Sequence, residues 1–304
     1  MPLEADLLID RRRLKRGLAF WRALALLLLA GGVALLAARF TDRPLIEADH
    51  VARLEIRGFI AEDRKVLEAL DRLGRDAGTR ALIVAINSPG GTVAGGESLY
   101  DALRRLGRQK PVVAVMQGTA ASAGYMTALG AERIFAREGT VTGSIGVLLQ
   151  SVDASELLAR IGVRPETIAS GPLKDQPSPF RPLTPEGREA LAHVIGDLQD
   201  QFVGRVAAAR HMAPEAVRPL ADGRVFTGRQ ALEAGLVDAI GGEREARDWL
   251  AQAKQVPADL PVHELELRGM ASRLLGASLA GLTKSLISEW LGVDPVLALW
   301  QPPG

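Results

Sequence analysis

Cysteine is absent from this chain of 304 residues, and histidine occurs only four times. The lack of cysteine excludes disulfides, thiolate nucleophiles and zinc sites with cysteine ligands. The four histidines, at positions 50, 193, 211 and 263, form no HExxH pair, so a zinc hydrolase has little support. We therefore expect the protein to use no metal and no other cofactor.

Aromatic residues are also scarce, at 4% of the chain, whereas 47% of the residues are hydrophobic. A chain of this length can bury a sizeable core, and that core must consist mostly of Ala, Val, Leu and Ile. The net charge is only +1, which argues against a broad surface for nucleic acid. We therefore expect no nucleic-acid partner.

One long apolar run, Gly17–Ala38, carries a single charge at Arg22. At about 1.5 Å per residue, its 22 residues reach roughly 33 Å, enough for one membrane crossing. A buried helix is an unfavourable alternative for so uniform a leucine run. A cleaved signal peptide is a second alternative, because small residues end the run, but the charged region before it is long. We predict an uncleaved anchor over residues 17–38.

Basic residues crowd the 16 positions before this run, as in "RRRLKR" from Arg11 to Arg16. The positive-inside rule keeps such a segment in the cytoplasm, so the chain after Arg39 is expected on the far side. We predict a single-pass protein of a bacterial inner membrane. Its cytoplasmic segment is 1–16, its linker 39–49 and its main domain, on the periplasmic side, 50–262.

Strand-like and helix-like segments alternate after the linker. "RALIVAINS", Arg80–Ser88, is a continuous apolar run, as expected of a strand buried on both faces. "VARLEIRGFI" and "GSIGVLL" also have strand character, and helical patterns lie between the strands. This order predicts an α/β domain with a largely parallel sheet. Residues 263–304 form a separable tail with helical leucine spacing, which either packs on protein or lies on a membrane surface.

Three stretches carry candidate chemistry, and the first is "NSPGGTVAGG", Asn87–Gly96. It follows a buried strand, and we expect Pro89 to force a turn there. Such a turn can point backbone N–H groups into open space, which a developing oxyanion requires. Most Pro-Gly-Gly turns are only turns, so this stretch is weak evidence on its own.

The second stretch, "GTAASAGYM", holds one hydroxyl, Ser122, among alanines and glycines where a strand gives way to a helix. Small neighbours would let a peptide approach Ser122 closely, although a serine in this position also caps helices. The third stretch is the loop-like "SGPLKDQPSPFRPLT", which contains Lys174. The chain has six lysines against 31 arginines. Lysine can act as a base when desolvated and arginine cannot, although a solvated loop lysine is the simpler interpretation.

The four stretches "NSPGGTVAGG", "GTAASAGYMTALGAERIFAREGTVTGSIGV", "SGPLKDQPSPFRPLTPEGRE" and "GRVFTGRQALEAGLVDAIGG" occur in this order. Together they resemble the signal peptide peptidase A family of Ser-Lys serine proteases, in its short single-domain form. The resemblance covers roughly residues 50 to 255. It implies a Clp protease/crotonase-like superhelix of β-β-α units, here preceded by one transmembrane helix.

The resemblance implies a role for each matched residue. Ser122 falls on the nucleophile, Lys174 on the general base and Ser144 on the serine that positions the lysine. The backbone N–H groups of Gly91 and Ala123 fall on the oxyanion hole. We expect substrate contacts at two further positions, which are Gly90 and Thr92. Many members have Ser-Gly-Gly-Tyr at the nucleophile where this chain has Ser-Ala-Gly-Tyr, a change that bears on substrate preference more than on activity.

The resemblance also implies the substrates and the assembly. The family degrades signal peptides left in the membrane, and other extended apolar peptides. Its short members form homo-octamers in which neighbouring protomers share each dyad, so Ser122 and Lys174 are expected from different chains. We expect His193, in a predicted long helix, to be a surface or packing residue. A structural role near Lys174 stays open for Asp175 and Arg181.

Three alternatives remain from the sequence. A related membrane protease could cleave C-terminal segments of stomatin-like proteins. A crotonase-like acyl-CoA enzyme would explain the glycines, but it leaves Ser122 and Lys174 without a role. A catalytically silent assembly protein would keep the fold, but the intact set of Ser122, Lys174 and Ser144 weighs against it.

Overall fold

A computed structural model describes residues 21–32 and 49–265, and the backbone of residues 296–299. The chain divides into two units, Met1–Ala48 and Asp49–Gly304. In the first unit, residues 21–32 form helix α1. Within the described ranges, no helix combines the length and apolar character that a membrane crossing needs. The rest of the predicted span, residues 17–20 and 33–38, lies outside the described residues, as does most of the tail predicted over residues 263–304.

The second unit is built on a ten-stranded, largely parallel sheet, which confirms the predicted α/β class. The first half of this unit alternates strands and helices: β1 (His50–Ile60), α2 (Arg64–Arg75), β2 (Thr79–Thr92), α3 (Val93–Gly107), β3 (Val112–Ala121), α4 (Ala123–Ala128) and β4 (Arg133–Ala136). Parallel pairs join β1 to β2, β2 to β3 and β3 to β4. The carboxyl ends of these strands therefore meet at one edge of the sheet.

The second half of this unit is longer and less regular. It comprises β5 (Val141–Gly143), β6 (Leu148–Leu149), α5 (Ser155–Arg160), α6 (Pro185–Arg210), α7 (Pro214–Val217), a 3₁₀ turn (Arg218–Leu220), β7 (Val225–Thr227), α8 (Gly228–Glu233), β8 (Ala239–Ile240), α9 (Glu243–Lys254), β9 (Val262–Glu264) and β10 (Val296–Leu299). Strand β9 pairs with β1, so the boundary predicted between residues 262 and 263 falls inside a strand.

Strand β2 is buried on both faces, as its continuous apolar run predicts. Leu82, Val84 and Ile86 contact the main core, which α2, α3, α4 and α6 cover. The alternate residues Ala81 and Ile83 contact a second core beneath α9. Burying each large aliphatic side chain contributes roughly 1.5–3 kcal/mol, so this strand anchors the sheet from both sides.

Two strand predictions need correction. Pro89 was expected to force a turn, but β2 continues to Thr92, and β1 accommodates the proline with a matching irregularity between Arg57 and Phe59. The strand expected over Gly143–Leu149 is split into β5 and β6, because Ser144 adopts a positive φ of 47° that ends β5. Pairing with β1 allows β2 to continue past Pro89. The left-handed backbone conformation of Ser144 ends β5.

Helix α6 begins as its sequence predicts. The Thr184 side chain accepts a hydrogen bond from Gly187 N at 3.0 Å, and Pro185 occupies the first helical position. His193, predicted as a surface or packing residue, lies exposed in the N-terminal half of this helix. Only the C-terminal half of α6 enters the core, through Phe202, Val203, Val206 and Ala207.

A partly buried polar network holds α6 and the chain before β8 against the sheet. Arg210 donates two hydrogen bonds to the Asp238 carboxylate, at 2.9 and 2.7 Å, and Asp238 accepts a third from Ile134 N at 2.7 Å. Nearby, the Tyr125 hydroxyl donates to Leu236 O at 2.8 Å. Burial raises the pKa of Tyr125 above its usual range, so this hydroxyl stays protonated as a donor.

We expect Tyr125→Phe to lower the free energy of unfolding by about 1 kcal/mol, because the buried Leu236 carbonyl loses its donor. Tyr100→Phe is the matched control, since the Tyr100 hydroxyl makes no hydrogen bond within the described residues and its ring still lies near the Arg205 guanidinium. Urea unfolding of the full chain in detergent would compare the two variants. Equal stabilities would contradict the importance of this bond.

Candidate active site

Ser122 occupies a strained turn between β3 and α4. Its φ of 53° and ψ of −117° lie outside the usual regions for a residue with a side chain. Two backbone hydrogen bonds hold it there: Ser122 N donates to Gly143 O at 2.9 Å, and Ser122 O accepts from Met126 N at 2.8 Å. A conformation of this kind costs of order 1–3 kcal/mol and persists only where the surroundings impose it.

The Ser122 hydroxyl does not cap α4. No side-chain hydrogen bond caps this helix, and the buried Ser122 Oγ has no hydrogen-bond partner among the described residues. Buried hydroxyls are nearly always paired, and an exception calls for an explanation such as catalysis. The capping interpretation of Ser122 therefore lacks the hydrogen bond that it requires.

Ser144 lies beside Ser122 because of strand register. Strands β3 and β5 are parallel, with Ala121 opposite Gly143. Ser122 and Ser144 are the first residues after these two strands. Paired strands lie about 4.8 Å apart. Ser144 is 7% exposed, and its backbone N–H donates to Arg224 O at 2.8 Å. The fold thus brings two serines, both at positive φ, to the same end of two neighbouring strands.

The Gly90–Thr92 segment forms the neighbouring wall of the site. A Cβ on Gly91 would lie 1.9 Å from Ile60 O, so only glycine fits where β1 passes. Gly90 has a φ of 133°, which also favours glycine. The Thr92 hydroxyl accepts a hydrogen bond from Gly95 N at 3.0 Å and caps α3. Steric demands therefore account for both glycines, and helix capping accounts for Thr92.

The methyl group of Ala123 lies inside the protein. Ala123 is completely buried, and a Cβ on Gly96 of α3 would come within 3.1 Å of the Ala123 Cβ. Glycine at position 96 thus makes room for the alanine that follows the nucleophile candidate. The Ser-Ala-Gly-Tyr sequence is accommodated by close packing of α3 on α4.

Lys174 makes no hydrogen bond to either serine within the described residues. It sits in a turn between α5 and α6, where Lys174 N donates to Gly171 O at 3.2 Å and the side chain is exposed. Among the described residues, no hydrogen bond or ion pair joins its amine to Ser122 or Ser144. Asp175 and Arg181 form an ion pair at 3.1 Å in the same loop, which agrees with a structural role for both.

An extended segment of the chain already lies against the Gly90–Thr92 edge. Strand β10 pairs antiparallel with β2, with Ala298 opposite Gly91, and antiparallel with β6 through Leu297 and Leu148. Strand β3 pairs with β2 only as far as Ser88. Beyond that residue, β10 pairs with the same edge of β2. One extended peptide strand therefore fits between β2 and β6, next to the turn that carries Ser122.

The described residues contain no group of three or more acidic or histidine side chains that could hold a metal ion. A surface cavity of about 690 Å³ lies at the start of α9, where Arg137, Glu243 and Arg244 line it. None of the candidate residues lines this cavity, so we do not assign it to the reaction.

The model of peptidase family S49 matches residues 104–257, a range that contains Ser122, Ser144 and Lys174. The chain belongs to peptidase family S49. A Clp protease family model also matches residues 55–139, which run from the middle of β1 past the end of β4 and include Gly91. This S49 chain is thus a serine peptidase with a Clp protease-like α/β fold.

Similar proteins come from distant organisms. A Synechocystis sp. protein assigned as a protease is 45% identical over 203 residues, which cover 66% of this chain and 73% of the relative. An Enterococcus faecium protein assigned as signal peptide peptidase SppA is 31% identical over 274 residues, covering 84% and 77%. The chloroplastic serine protease SPPA of Arabidopsis thaliana is 34% identical over 219 residues, covering 72% of this chain but 32% of its own length.

Sequence reasoning overlooked Ser88, which stands directly before the Pro-Gly-Gly sequence. Its side chain is fully buried and makes hydrogen bonds to the backbone of two separate segments. A polar residue at an inward strand position was the available signal. The partner Gly58 lies 30 residues earlier, so the sequence alone does not reveal the contact.

We expect Gly91→Ala to abolish peptidase activity and to destabilise the fold, because the new methyl group would collide with the Ile60 backbone. Gly107→Ala is the matched control, since a Cβ there meets no atom within 4 Å and the residue ends α3. That control should be neutral or more stable by about 0.5–1 kcal/mol. Thermal unfolding and casein cleavage would test both, and an active Gly91→Ala variant would contradict the steric argument.

Proposed function

We propose that this S49 peptidase is a membrane-anchored endopeptidase that degrades cleaved signal peptides and similar extended apolar peptides through a Ser-Lys dyad. The observation that carries the proposal is the Ser122 hydroxyl, which is buried, unpartnered and held on a strained turn at a strand end. Enzymes of other folds also place nucleophilic serines on strained strand-to-helix turns. Ser144 beside it offers a second hydroxyl to orient a base.

Lys174 acts as the base in this mechanism. Its neutral amine accepts the Ser122 proton while Ser122 Oγ bonds to the peptide carbonyl carbon, giving a tetrahedral intermediate. The ammonium then protonates the leaving amine as the C–N bond breaks. Water then attacks the acyl carbon while the Lys174 amine accepts its proton, and the ammonium returns a proton to Ser122 Oγ as the ester C–O bond breaks.

The oxyanion hole consists of the backbone N–H groups of Gly91 and Ala123. Both residues flank the candidate nucleophile, one on the Gly90–Thr92 edge and one directly after Ser122. Donors aimed at the developing charge stabilise the intermediate, and losing one typically costs roughly 100- to 1,000-fold in rate. A substrate strand that lies in the place of β10 would present its carbonyl groups along this edge.

A neighbouring subunit supplies Lys174. The segment between β6 and α6 carries exposed apolar side chains, which are Val152, Leu157, Ile161, Val163, Ile168, Leu173 and Phe180. Helix α5 in this segment has no buried residue at all. So many exposed apolar side chains in one segment mark an interface, and Lys174 lies within it. We assign the partner as a second copy in a homo-octamer, in which each copy completes the site of its neighbour.

The membrane anchor is residues 17–38, with the basic N-terminus in the cytoplasm and the catalytic domain in the periplasm. The support is the apolar run itself and the Arg11–Arg16 cluster before it. An anchor keeps the site close to the bilayer, where apolar signal peptides remain after cleavage. The same location would serve a protease of other membrane proteins, and a substrate profile separates the two.

Mixed assemblies test the shared dyad. We expect full-length Ser122→Ala and Lys174→Ala to be inactive on casein when expressed singly. Co-expressed in equal amounts, they should recover roughly a quarter of wild-type activity, because one subunit interface in four then joins an intact serine to an intact lysine. Lys65→Ala, a change at an exposed lysine of α2, is the matched control and should keep full activity.

Each outcome of the mixing experiment has a separate meaning. An inactive mixture whose assemblies match the wild type in size would reject sharing between subunits but retain the dyad. An active Ser122→Ala variant would reject the serine mechanism altogether.

Membrane fractionation tests the anchor. We expect the full chain to stay in the membrane pellet after a carbonate wash, and a variant lacking residues 1–38 to be released, because about 20 apolar residues hold a chain in a bilayer. External protease should digest the catalytic domain in spheroplasts and leave an N-terminal tag protected. A mature protein whose first residue follows Ala38 would instead establish a cleaved signal peptide.

A further inference from the structure

Ser88 lies at the point where β2 changes partners. It is the last β2 residue paired with β3, opposite Ala120, and the next residues pair with β10 on that edge. Its side chain is completely buried. A hydroxyl is an unusual choice for a buried strand position in an aliphatic core, because it must find partners there.

The Ser88 hydroxyl bridges two backbone segments. Its Oγ donates to Gly58 O at 2.6 Å and accepts from Gly90 N at 3.1 Å. Gly90 O also lies 3.2 Å away, but the single proton favours the shorter contact with Gly58. Both glycines have positive φ, 68° at Gly58 and 133° at Gly90. The hydroxyl thus links the irregular part of β1 at Gly58 to Gly90 of β2 through hydrogen bonds.

Ser88 also contacts the segment that follows the nucleophile candidate. A Cβ on Gly124 would lie 3.1 Å from Ser88 O and 3.4 Å from the Ser88 Cβ. Ser88 therefore lies between the Gly90–Thr92 segment of β2 and the first turn of α4. A shift at Ser88 would change the spacing between the two N–H groups of the oxyanion hole.

We propose that Ser88 is a positioning residue that fixes the direction of the Gly91 N–H toward the substrate oxyanion. The inference rests on the proposed function, since it takes Gly91 as an oxyanion donor. The Ser88 Oγ accepts from the Gly90 N–H, which fixes the Pro89–Gly90 peptide directly before the peptide that carries the Gly91 N–H. Supporting groups of this kind maintain reactive geometry to within about 0.5 Å.

The test compares Ser88→Ala with Thr140→Val in the full-length enzyme. Thr140 is a matched control because its buried hydroxyl also donates to a carbonyl, Gln117 O at 2.6 Å, and accepts from an amide, Arg137 N at 2.9 Å. It lies outside the candidate machinery. We would measure kcat and KM for a peptide, and the inhibition constant of the corresponding peptide aldehyde, whose adduct with a serine presents an oxyanion.

We expect Ser88→Ala to lower kcat roughly 10- to 100-fold, less than the loss of a whole donor, with KM changed by less than about threefold. The aldehyde inhibition constant should rise by the same factor as kcat falls. Thr140→Val should lose stability but keep kcat and aldehyde affinity. Ser88→Cys keeps the size and a weak donor, should give intermediate values, and provides the same measurement if the alanine variant does not fold.

A purely structural hydroxyl would give the opposite result. If Ser88→Ala keeps kcat and aldehyde affinity within threefold while losing stability like Thr140→Val, the inference is overturned. Failure of the proposed function has its own signature: the wild-type enzyme would not bind the aldehyde, or Ser122→Ala would stay active. The two failures are therefore distinguishable in one set of assays.

Discussion

Parallel pairing on both sides of β3 sets the geometry on which the candidate site depends. On one side, Ser88 of β2 lies opposite Ala120, and on the other, Gly143 of β5 lies opposite Ala121. The first residue beyond this doubly paired strand is Ser122. Its backbone N–H is bound to Gly143 O, so the turn cannot relax without breaking the sheet edge. The pairing thus supplies the free energy that holds Ser122 in an unfavourable backbone conformation.

Close backbone approach is the second feature of the site. Three contacts leave little room for extra atoms: Gly91 meets the Ile60 backbone, Gly96 meets Ala123 and Gly124 meets Ser88. Interiors packed at this density transmit small displacements instead of absorbing them. Substitutions at these glycines are therefore expected to affect the Gly90–Thr92 segment and Ser122 together.

Much of the fold could be predicted from the sequence, and the reasons differ by element. The apolar run in β2 and the Thr184-Pro185 start of α6 are local signals, and both agree with the structure. The continuation of β2 past Pro89 depends on pairing with β1, and the break at Ser144 depends on a bond to Arg224. Ser88 was overlooked for the same reason, since its partner is remote in sequence. Only the motif resemblance linked Ser122, Ser144 and Lys174, and assembly is what would bring the lysine to the serines.

The exposed segment between β6 and α6 has a consequence for control of the enzyme. On the proposed sharing of the dyad, a newly made subunit carries a serine without its base and a lysine without its serine. Activity would then rise more steeply than linearly with protein concentration, because a working site requires two chains to meet. A free subunit would be harmless to the membrane proteins around it. On the same proposal, proteolysis would begin only where the chains have accumulated and assembled.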